Sequence, residues 1–355
     1  MYVDAYFDRD NDVVRVVERN RDGRREYKDI PGRYTLYYDD PKGKFTSIYG
    51  NPVNKVTCKT LKDFHKELKI NSNKKIYEAD INQIFVCLSD HYLNAETPKL
   101  NVAFFDIEVD FDPERGYASP DDAFMPITAI SVHLQWLDTL ICLAVPPKSM
   151  SVEKAEELVK EFPNTYIFSN EADMLDTFLN LIEDADVLTG WNSEGYDIPY
   201  TVNRVTKALS KDDTRRLCLW NHYPRRREYE KYGKKAVTYD LVGRVHLDSL
   251  ELYRRYTYEE RHTYRLDAIG EMEIGERKTV YEGTLDQLYN NDFKTFIEYN
   301  RQDCALLDKL DKKLKFIDLA NTLAHENTVL LQTTMGAVAV TEQAIINEAH
   351  RKGVV

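Results

Sequence analysis

One stretch constrains this chain more than any other: Val102-Ala103-Phe104-Phe105-Asp106-Ile107-Glu108-Val109. A β-branched and aromatic run bounded by polar residues predicts a buried β-strand. Side chains alternate across a strand, so Val102, Phe104, Asp106 and Glu108 share one face. Two carboxylates therefore continue a row that begins apolar. Like charges this close resist joint ionisation unless a cation sits between them. Oxygen ligands of this kind suit a hard divalent cation, Mg²⁺ or Mn²⁺. Taken alone, the pattern also fits a strand whose end reaches solvent.

Two further segments repeat the theme of an acid where a core residue is expected. In Leu188-Thr189-Gly190-Trp191-Asn192-Ser193-Glu194-Gly195-Tyr196-Asp197-Ile198-Pro199, Gly190 permits close backbone approach at a strand end. Asp197 falls at the start of the next helix, where the helix dipole favours negative charge. In Tyr299-Asn300-Arg301-Gln302-Asp303, the tyrosine and the aspartate are four apart and share one helix face. That stripe continues through Phe296, Leu306, Leu307 and Leu310, so Asp303 interrupts an apolar face. Asp197 as a plain helix-start residue and Asp303 as the partner of a Lys or Arg remain open on these segments alone.

Around these segments the chain changes character twice. Residues 1–98 predict a β-rich unit: strands at Tyr2–Phe7, Val13–Glu18, Tyr34–Tyr38 and Ile84–Leu88, a turn at Asp22-Gly23, and a helix from Thr60 to Leu68. From residue 99 strands alternate with helices. Strands are expected at Ile127–Trp136, Leu140–Val145, Tyr166–Phe168, Val187–Trp191 and Arg244–Leu250. Helices are expected at Val152–Phe162, Glu171–Glu183 and Pro199–Leu209, with a long one from Asp292 to Leu319. The expected fold is α/β, a mixed sheet flanked by helices over 99–316. A helical segment follows over 317–355. Its apolar residues, among them Leu319, Leu323, Val338 and Ile345, exceed what a terminal appendage on one domain would cover, which points to an interface.

Charge and cysteine usage exclude several classes. The chain of 355 residues carries a formal net charge of −12, which argues against a generic polyanion binder. Between Arg204 and Lys235, however, eleven Lys/Arg face four Asp/Glu, a local balance of +7. This stretch reads as a hairpin, Tyr229–Tyr232 and Ala236–Tyr239 about Gly233-Lys234-Lys235, and either contacts phosphates or is a solvated loop. Five cysteines without Cys-x-x-Cys spacing imply neither a zinc site nor a disulfide framework. Neither a signal peptide nor a membrane span is read, and a cytoplasmic location is expected.

Phe105-Asp106-Ile107-Glu108, Asn192…Tyr196-Asp197 and Tyr299-x-x-x-Asp303 resemble the three exonuclease motifs of family B DNA polymerases, those of T-even-like bacteriophages above all. Tyrosine four before the last aspartate is similar to the tyrosine subclass of DEDD exonucleases; the histidine subclass has His five before, where this chain has Glu298. Asp248-Ser249-Leu250-Glu251-Leu252-Tyr253, Tyr264-Arg265-Leu266-Asp267 and the basic hairpin extend the likeness, and Lys278, five before Gly283, matches a family lysine. The resemblance implies a ribonuclease H-like domain and 3′→5′ proofreading hydrolysis of single-stranded DNA 3′ ends. It implies two Mg²⁺ or Mn²⁺ ions ~3.5–4 Å apart. Asp106 would bridge them, Glu108 and Asp303 would complete the nucleophile side, and Asp197 would serve the leaving-group side. Tyr299 would orient the attacking water and Lys278 would balance phosphate charge. Phe104 or Phe105, Tyr196 and the basic hairpin are candidate contacts to unstacked bases and backbone.

The family's polymerase palm motifs, Asp-x-x-Ser-Leu-Tyr-Pro and Tyr-x-Asp-Thr-Asp, do not occur in these residues. The expectation is an exonuclease portion that meets primer–template DNA beside a polymerase palm half, carried on a second chain or a missing C-terminal part, with a sliding clamp reached through that half. Two alternatives are a nucleic-acid-binding accessory module with a vestigial nuclease, and a free-standing RNA exonuclease.

Overall fold

In the computed structural model, which describes residues 1–231, 233–279 and 282–355, the chain divides into two compact units. One comprises residues 100–317 and the other residues 1–99 together with 318–355.

The unit of residues 100–317 is built on a six-stranded mixed sheet. Its spatial order is Thr165–Ile167, Thr139–Ala144, Ile127–Leu134, Val102–Val109, Val187–Thr189, Val245–His246. Ile127–Leu134 runs antiparallel to both neighbours, and the outer pairs are parallel. The acid-bearing strand Val102–Val109 thus lies inside the sheet, with Phe104 and Phe105 essentially unexposed. Side chains on both faces are covered by helices, as expected for a sheet that is partly parallel. The stripe Met174, Leu175, Phe178 and Leu179 buries the helix Glu171–Leu181. The helix Phe293–Leu314 buries Phe293, Phe296, Ile297, Leu306, Leu307 and Leu310.

Helix ends account for two departures from the expected boundaries. The helix predicted from Asp292 to Leu319 stops at Leu314, because Lys315 adopts a left-handed conformation (φ 54°) and a second helix, Phe316–Glu326, begins. The predicted strand Arg244–Leu250 shrinks to Val245–His246, because Asp248 caps a helix at Ser249–Tyr256. The basic hairpin is longer than read, Arg225–Lys231 paired with Lys234–Asp240, so Lys234 and Lys235 lie in the ladder; Tyr232, placed at its strand end, lies outside the described residues.

The other unit holds a three-stranded antiparallel sheet, Tyr2–Asp8, Val13–Arg19 and Arg25–Pro31. A four-stranded sheet beside it in sequence has the order Phe45–Thr46, Pro52–Cys58, Tyr34–Asp39, Ile76–Tyr77. The segment Ile84–Leu88, expected to be a strand, is a helix spanning Gln83–Tyr92. A short apolar run does not distinguish the two by period. Here the Asn82 side chain accepts a hydrogen bond from Ile84 N at 2.9 Å and starts the helix.

The C-terminal segment, expected as a separate piece over 317–355, belongs to this unit from Asp318 onward. The Tyr2 hydroxyl donates to the carbonyls of Ala324 (2.9 Å) and Val329 (2.7 Å), and the His325 ring stacks on Tyr2 at 4.2 Å. Val354 forms a parallel bridge with Thr46. The helix Ala337–Arg351 docks through polar residues: Ser89, Thr328, Gln343 and Asn347 form one hydrogen-bonded cluster. Much of the apolar surface assigned to an outside partner is therefore covered, and Leu319, Val338 and Ile345 are its exposed large residues. Among the described residues no helix is long and apolar enough to cross a membrane.

Tyr2→Phe removes the hydroxyl that the two carbonyls share; the Ala324 carbonyl keeps the Val329 amide at 3.0 Å, and the Val329 carbonyl loses this donor. The expected loss is about 1–3 kcal/mol, read by urea denaturation; a loss below about 0.5 kcal/mol would show that this tie does not hold the C-terminal helices.

Candidate active site

The central strand sets the site. Its register with Ile127–Leu134 places Ser131 opposite Asp106 and Ala129 opposite Glu108, so a small neighbour flanks each acid. Gly190 ends the adjacent parallel strand, and a Cβ there would lie 2.7 Å from the Phe105 carbonyl, so only glycine fits. The chain then turns into the helix Asp197–Ala208. Asp197 Oδ1 accepts a hydrogen bond from the Ile107 amide at 3.3 Å, which fastens this carboxylate between Asp106 and Glu108 in the strand. From the other side, the helix Phe293–Leu314 contributes Tyr299 and Asp303. Lys278 Nζ pairs with the Asp303 carboxylate and lies 3.2 Å from the Tyr299 hydroxyl oxygen.

All six residues singled out in the sequence thus converge. Asp106, Glu108 and Asp303 each offer one carboxylate oxygen, and these oxygens lie within 4.8 Å of one another. Glu108, Asp197 and Asp303 are 9%, 6% and 1% exposed. Among the described residues, Lys278 is the one cation in ion-pair contact with the four carboxylates. Asp303 Oδ1 is buried without a hydrogen-bond partner.

The electrostatic consequence is direct. Burial, then the charges of Asp303, Glu108 and Asp197, holds the Asp106 carboxyl well above the usual carboxylate range. Burial followed by Asp303 pushes Glu108 up to about 8, and burial pushes Asp197 up to about 7. Asp303 is raised by burial despite the pull of Lys278. Burial opposes the Lys278 charge, yet Asp303 keeps its ammonium above the usual range. Buried carboxylates in excess of cations, with an unpartnered oxygen among them, fit a divalent cation held by oxygen ligands. A second acid cluster, His133, Asp138 and Asp308, differs in its charge balance: Lys312 Nζ lies 3.0 Å from Asp138 and 2.9 Å from Asp308, so one ammonium serves both carboxylates.

Of the expected contacts to bases, those of the two phenylalanines fall away. Phe104 and Phe105 are core residues, Phe105 packing on Phe178 at 5.9 Å, and neither can stack on a base. Tyr196 is half-buried and stacked on Tyr200 at 5.3 Å. Much of the +7 of the basic stretch is neutralised within the unit. From outside the stretch, Glu171 pairs with Arg204, Asp122 with Lys207, Asp176 with Arg216, and Glu194 and Asp240 with Arg227.

Three groups near the site were given no role by the sequence, although each lies in or beside a segment that the motifs had marked. Asn300 Nδ2 donates to Asp106 Oδ2 at 2.9 Å and to the Asp106 carbonyl at 3.3 Å, and the Ser131 hydroxyl donates to Asn300 Oδ1 at 2.6 Å. Asp248 accepts from the amides of Asn192, Glu194 and Leu250 at 2.9–3.0 Å and so moors the loop that leads to Asp197. Ser193 Oγ, 2.9 Å from His246 Nε2, moors the same loop. A polar residue on a buried helix stripe was the available clue for Asn300; the other two partners meet only through the fold.

Residues 52–269 match the family model for the exonuclease domain of DNA polymerase family B. The chain belongs to that family. It is 29% identical over 288 residues to the DNA-directed DNA polymerase of Escherichia phage RB69, covering 73% of this chain and 31% of the relative. With that of Enterobacteria phage T4 it shares 28% identity over 203 residues, 56% of this chain and 22% of the relative. With the DNA polymerase of Autographa californica nuclear polyhedrosis virus it shares 29% over 175 residues, 46% of this chain and 18% of the relative. The chain therefore spans about a third or less of these relatives. Lys278, Tyr299 and Asp303 lie beyond the span of the family model, and it is geometry that joins them to Asp106 and Glu108. The acid cluster and the family together make this a metal-dependent exonuclease domain.

The raised carboxyls predict how stability depends on pH. Glu108 and Asp197 titrate near 8 and 7 folded but near ~4 unfolded. The folded state therefore binds more protons in that window, and stability is lost as pH rises from about 4 to 8. In EDTA the melting temperature should fall over this range, Mg²⁺ should oppose the fall, and Glu108→Gln should flatten it. A pH profile in EDTA that Glu108→Gln leaves unchanged would contradict the assignment.

Proposed function

We propose that the chain is the 3′→5′ proofreading exonuclease portion of a phage-like replicative DNA polymerase, acting on single-stranded DNA 3′ ends. The observation that carries this reading is the convergence of Asp106, Glu108 and Asp303 at one buried point beside Asp197, with Lys278 paired to Asp303. Two Mg²⁺ or Mn²⁺ ions, when bound, would activate water and stabilise the leaving oxygen. Asp106 would be shared between them, Glu108 and Asp303 would hold the nucleophile side, and Asp197 would hold the leaving-group side.

The remaining residues position the reaction. The Tyr299 hydroxyl would hold the attacking water; burial and Asp303 raise its pKa, so it remains a neutral donor. Lys278, kept protonated by Asp303, would face phosphate charge. The water oxygen attacks phosphorus, the bond from phosphorus to the 3′ oxygen breaks, and that oxygen leaves as the 3′-hydroxyl of the shortened strand after gaining a proton. The released product is a 5′-mononucleotide. The partners proposed with this role are primer–template DNA and a polymerase palm half, with a sliding clamp reached through that half; the site of action is the host cytoplasm.

End-labelled single-stranded DNA and RNA, incubated with Mg²⁺, Mn²⁺ or EDTA, test the reading. DNA should be shortened from its 3′ end with either metal and left intact in EDTA. Asp106→Ala, Glu108→Ala and Asp303→Ala should each abolish the activity and leave the fold in place. Full activity in Asp106→Ala, or in excess EDTA, rules the mechanism out.

Tyr299→Phe keeps the ring and removes the hydroxyl. The rate should fall by roughly ten- to a thousandfold, the range for one positioning or transition-state hydrogen bond. Unchanged turnover would reduce Tyr299 to a packing residue.

A further inference from the structure

The helix Phe293–Leu314 supplies three polar groups to the acid cluster within about one turn, Tyr299, Asn300 and Asp303, and Asn300 touches a carboxylate on the sheet. Asn300 is fully buried, and its amide nitrogen lies 2.9 Å from Asp106 Oδ2. The orientation of that amide is not free. Its oxygen receives the Ser131 hydroxyl at 2.6 Å, so its nitrogen must face Asp106. Ser131 is itself the cross-strand partner of Asp106. Sheet register thus closes a short loop of contacts: Ser131 to Asn300 to Asp106, and back across the ladder to Ser131.

We propose that Asn300 is the positioning residue of the metal centre, fixing Asp106 against Glu108 and Asp303, and that Ser131 fixes Asn300. The inference rests on the exonuclease reading above. The residue type has a physical reason. Asp303 already has an ammonium in Lys278. A second cation on Asp106 would compete with a divalent ion for the same oxygens. A neutral amide orients the carboxylate by one hydrogen bond and leaves it lone pairs for an ion. A carboxylate in place of the amide would instead add a further charge to a buried cluster that already lacks cations. The contact also sets a distance. Asp303 and Asn300 stand on one helix and Asp106 on one strand, so the bond from Asn300 fixes how far apart the Asp106 and Asp303 carboxylates stand. Groups that hold ligands in this way typically contribute ten- to a hundredfold in metal affinity.

The test reads metal binding directly, without substrate. The full chain is titrated with Mn²⁺, and free ion is followed by electron paramagnetic resonance. Asn300→Leu should weaken Mn²⁺ binding by about ten- to a hundredfold. Ser131→Ala should shift it the same way by less, since the amide is then free to turn. Leu310→Ala, a cavity in the same helix away from the acids, should lower the melting temperature while leaving Mn²⁺ affinity within about twofold. Unchanged affinity in Ser131→Ala and in folded Asn300→Leu overturns the proposal, as does a loss no larger than that of Leu310→Ala. A wild-type chain that binds no Mn²⁺ overturns the exonuclease reading, and this inference with it.

Discussion

The repulsion among four buried carboxylates is the constraint on which this molecule turns. Asp106, Glu108, Asp197 and Asp303 come from a strand, a helix start and a long helix, and the fold holds them together against their own charge. Lys278 offsets part of that charge through Asp303. Burial first, and then the charge of neighbouring carboxylates, holds Asp106 and Glu108 above their usual range, and burial does the same for Asp197. Apolar packing around the site opposes the repulsion. Phe104, Phe105 and Phe296 are sealed in the core, and Ile107 N binds Asp197. A site of this kind is poised to take up cations because the ion supplies the charge that the protein withholds.

The scaffold explains how such a cluster can be rigid. Asp106 and Glu108 stand on an interior strand and pair with Ser131 and Ala129 on one side, while the pairing with Val187–Thr189 on the other side ends at Phe104. Asp197 is tied to the same strand through a backbone amide, and the loop before it is moored by Asp248 and His246. Burial lowers the His246 pKa to about 3, so this mooring stays neutral at ordinary pH. Tyr299 and Asp303 ride one helix, one turn apart, so their spacing is set by helix geometry.

Much of this was legible in the sequence because it depends on local periods. Alternation along Val102–Val109 put two acids on one strand face, and a spacing of four put Tyr299 and Asp303 on one helix face. The glycine at 190 marked a close approach, and it meets the Phe105 carbonyl. Motif order linked these segments to the exonuclease family, and the family model agrees over residues 52–269. Where a segment was short and evenly apolar, as at Ile84–Leu88, the period failed and a capping asparagine decided for helix.

Tertiary structure alone decided the rest, since those features pair residues that are remote in the chain. Charge density left the Arg204–Lys235 stretch as either a phosphate contact or a solvated loop. In the fold Arg204 finds Glu171 and Arg216 finds Asp176, partners no composition reveals. The apolar residues after 317 pointed to an outside partner, yet Tyr2 and Ser89 tie that segment into the N-terminal unit, partly through polar bonds that hydropathy does not register. Asn300 shows the same limit most sharply. The sequence placed it beside Tyr299, but its bond to Asp106 spans 194 positions and exists only because sheet register sets Ser131 across from that acid. Local spacing determined which residues could share a face; long-range packing determined which of those faces meet, because a buried charge is tolerated only where the whole fold supplies its partners.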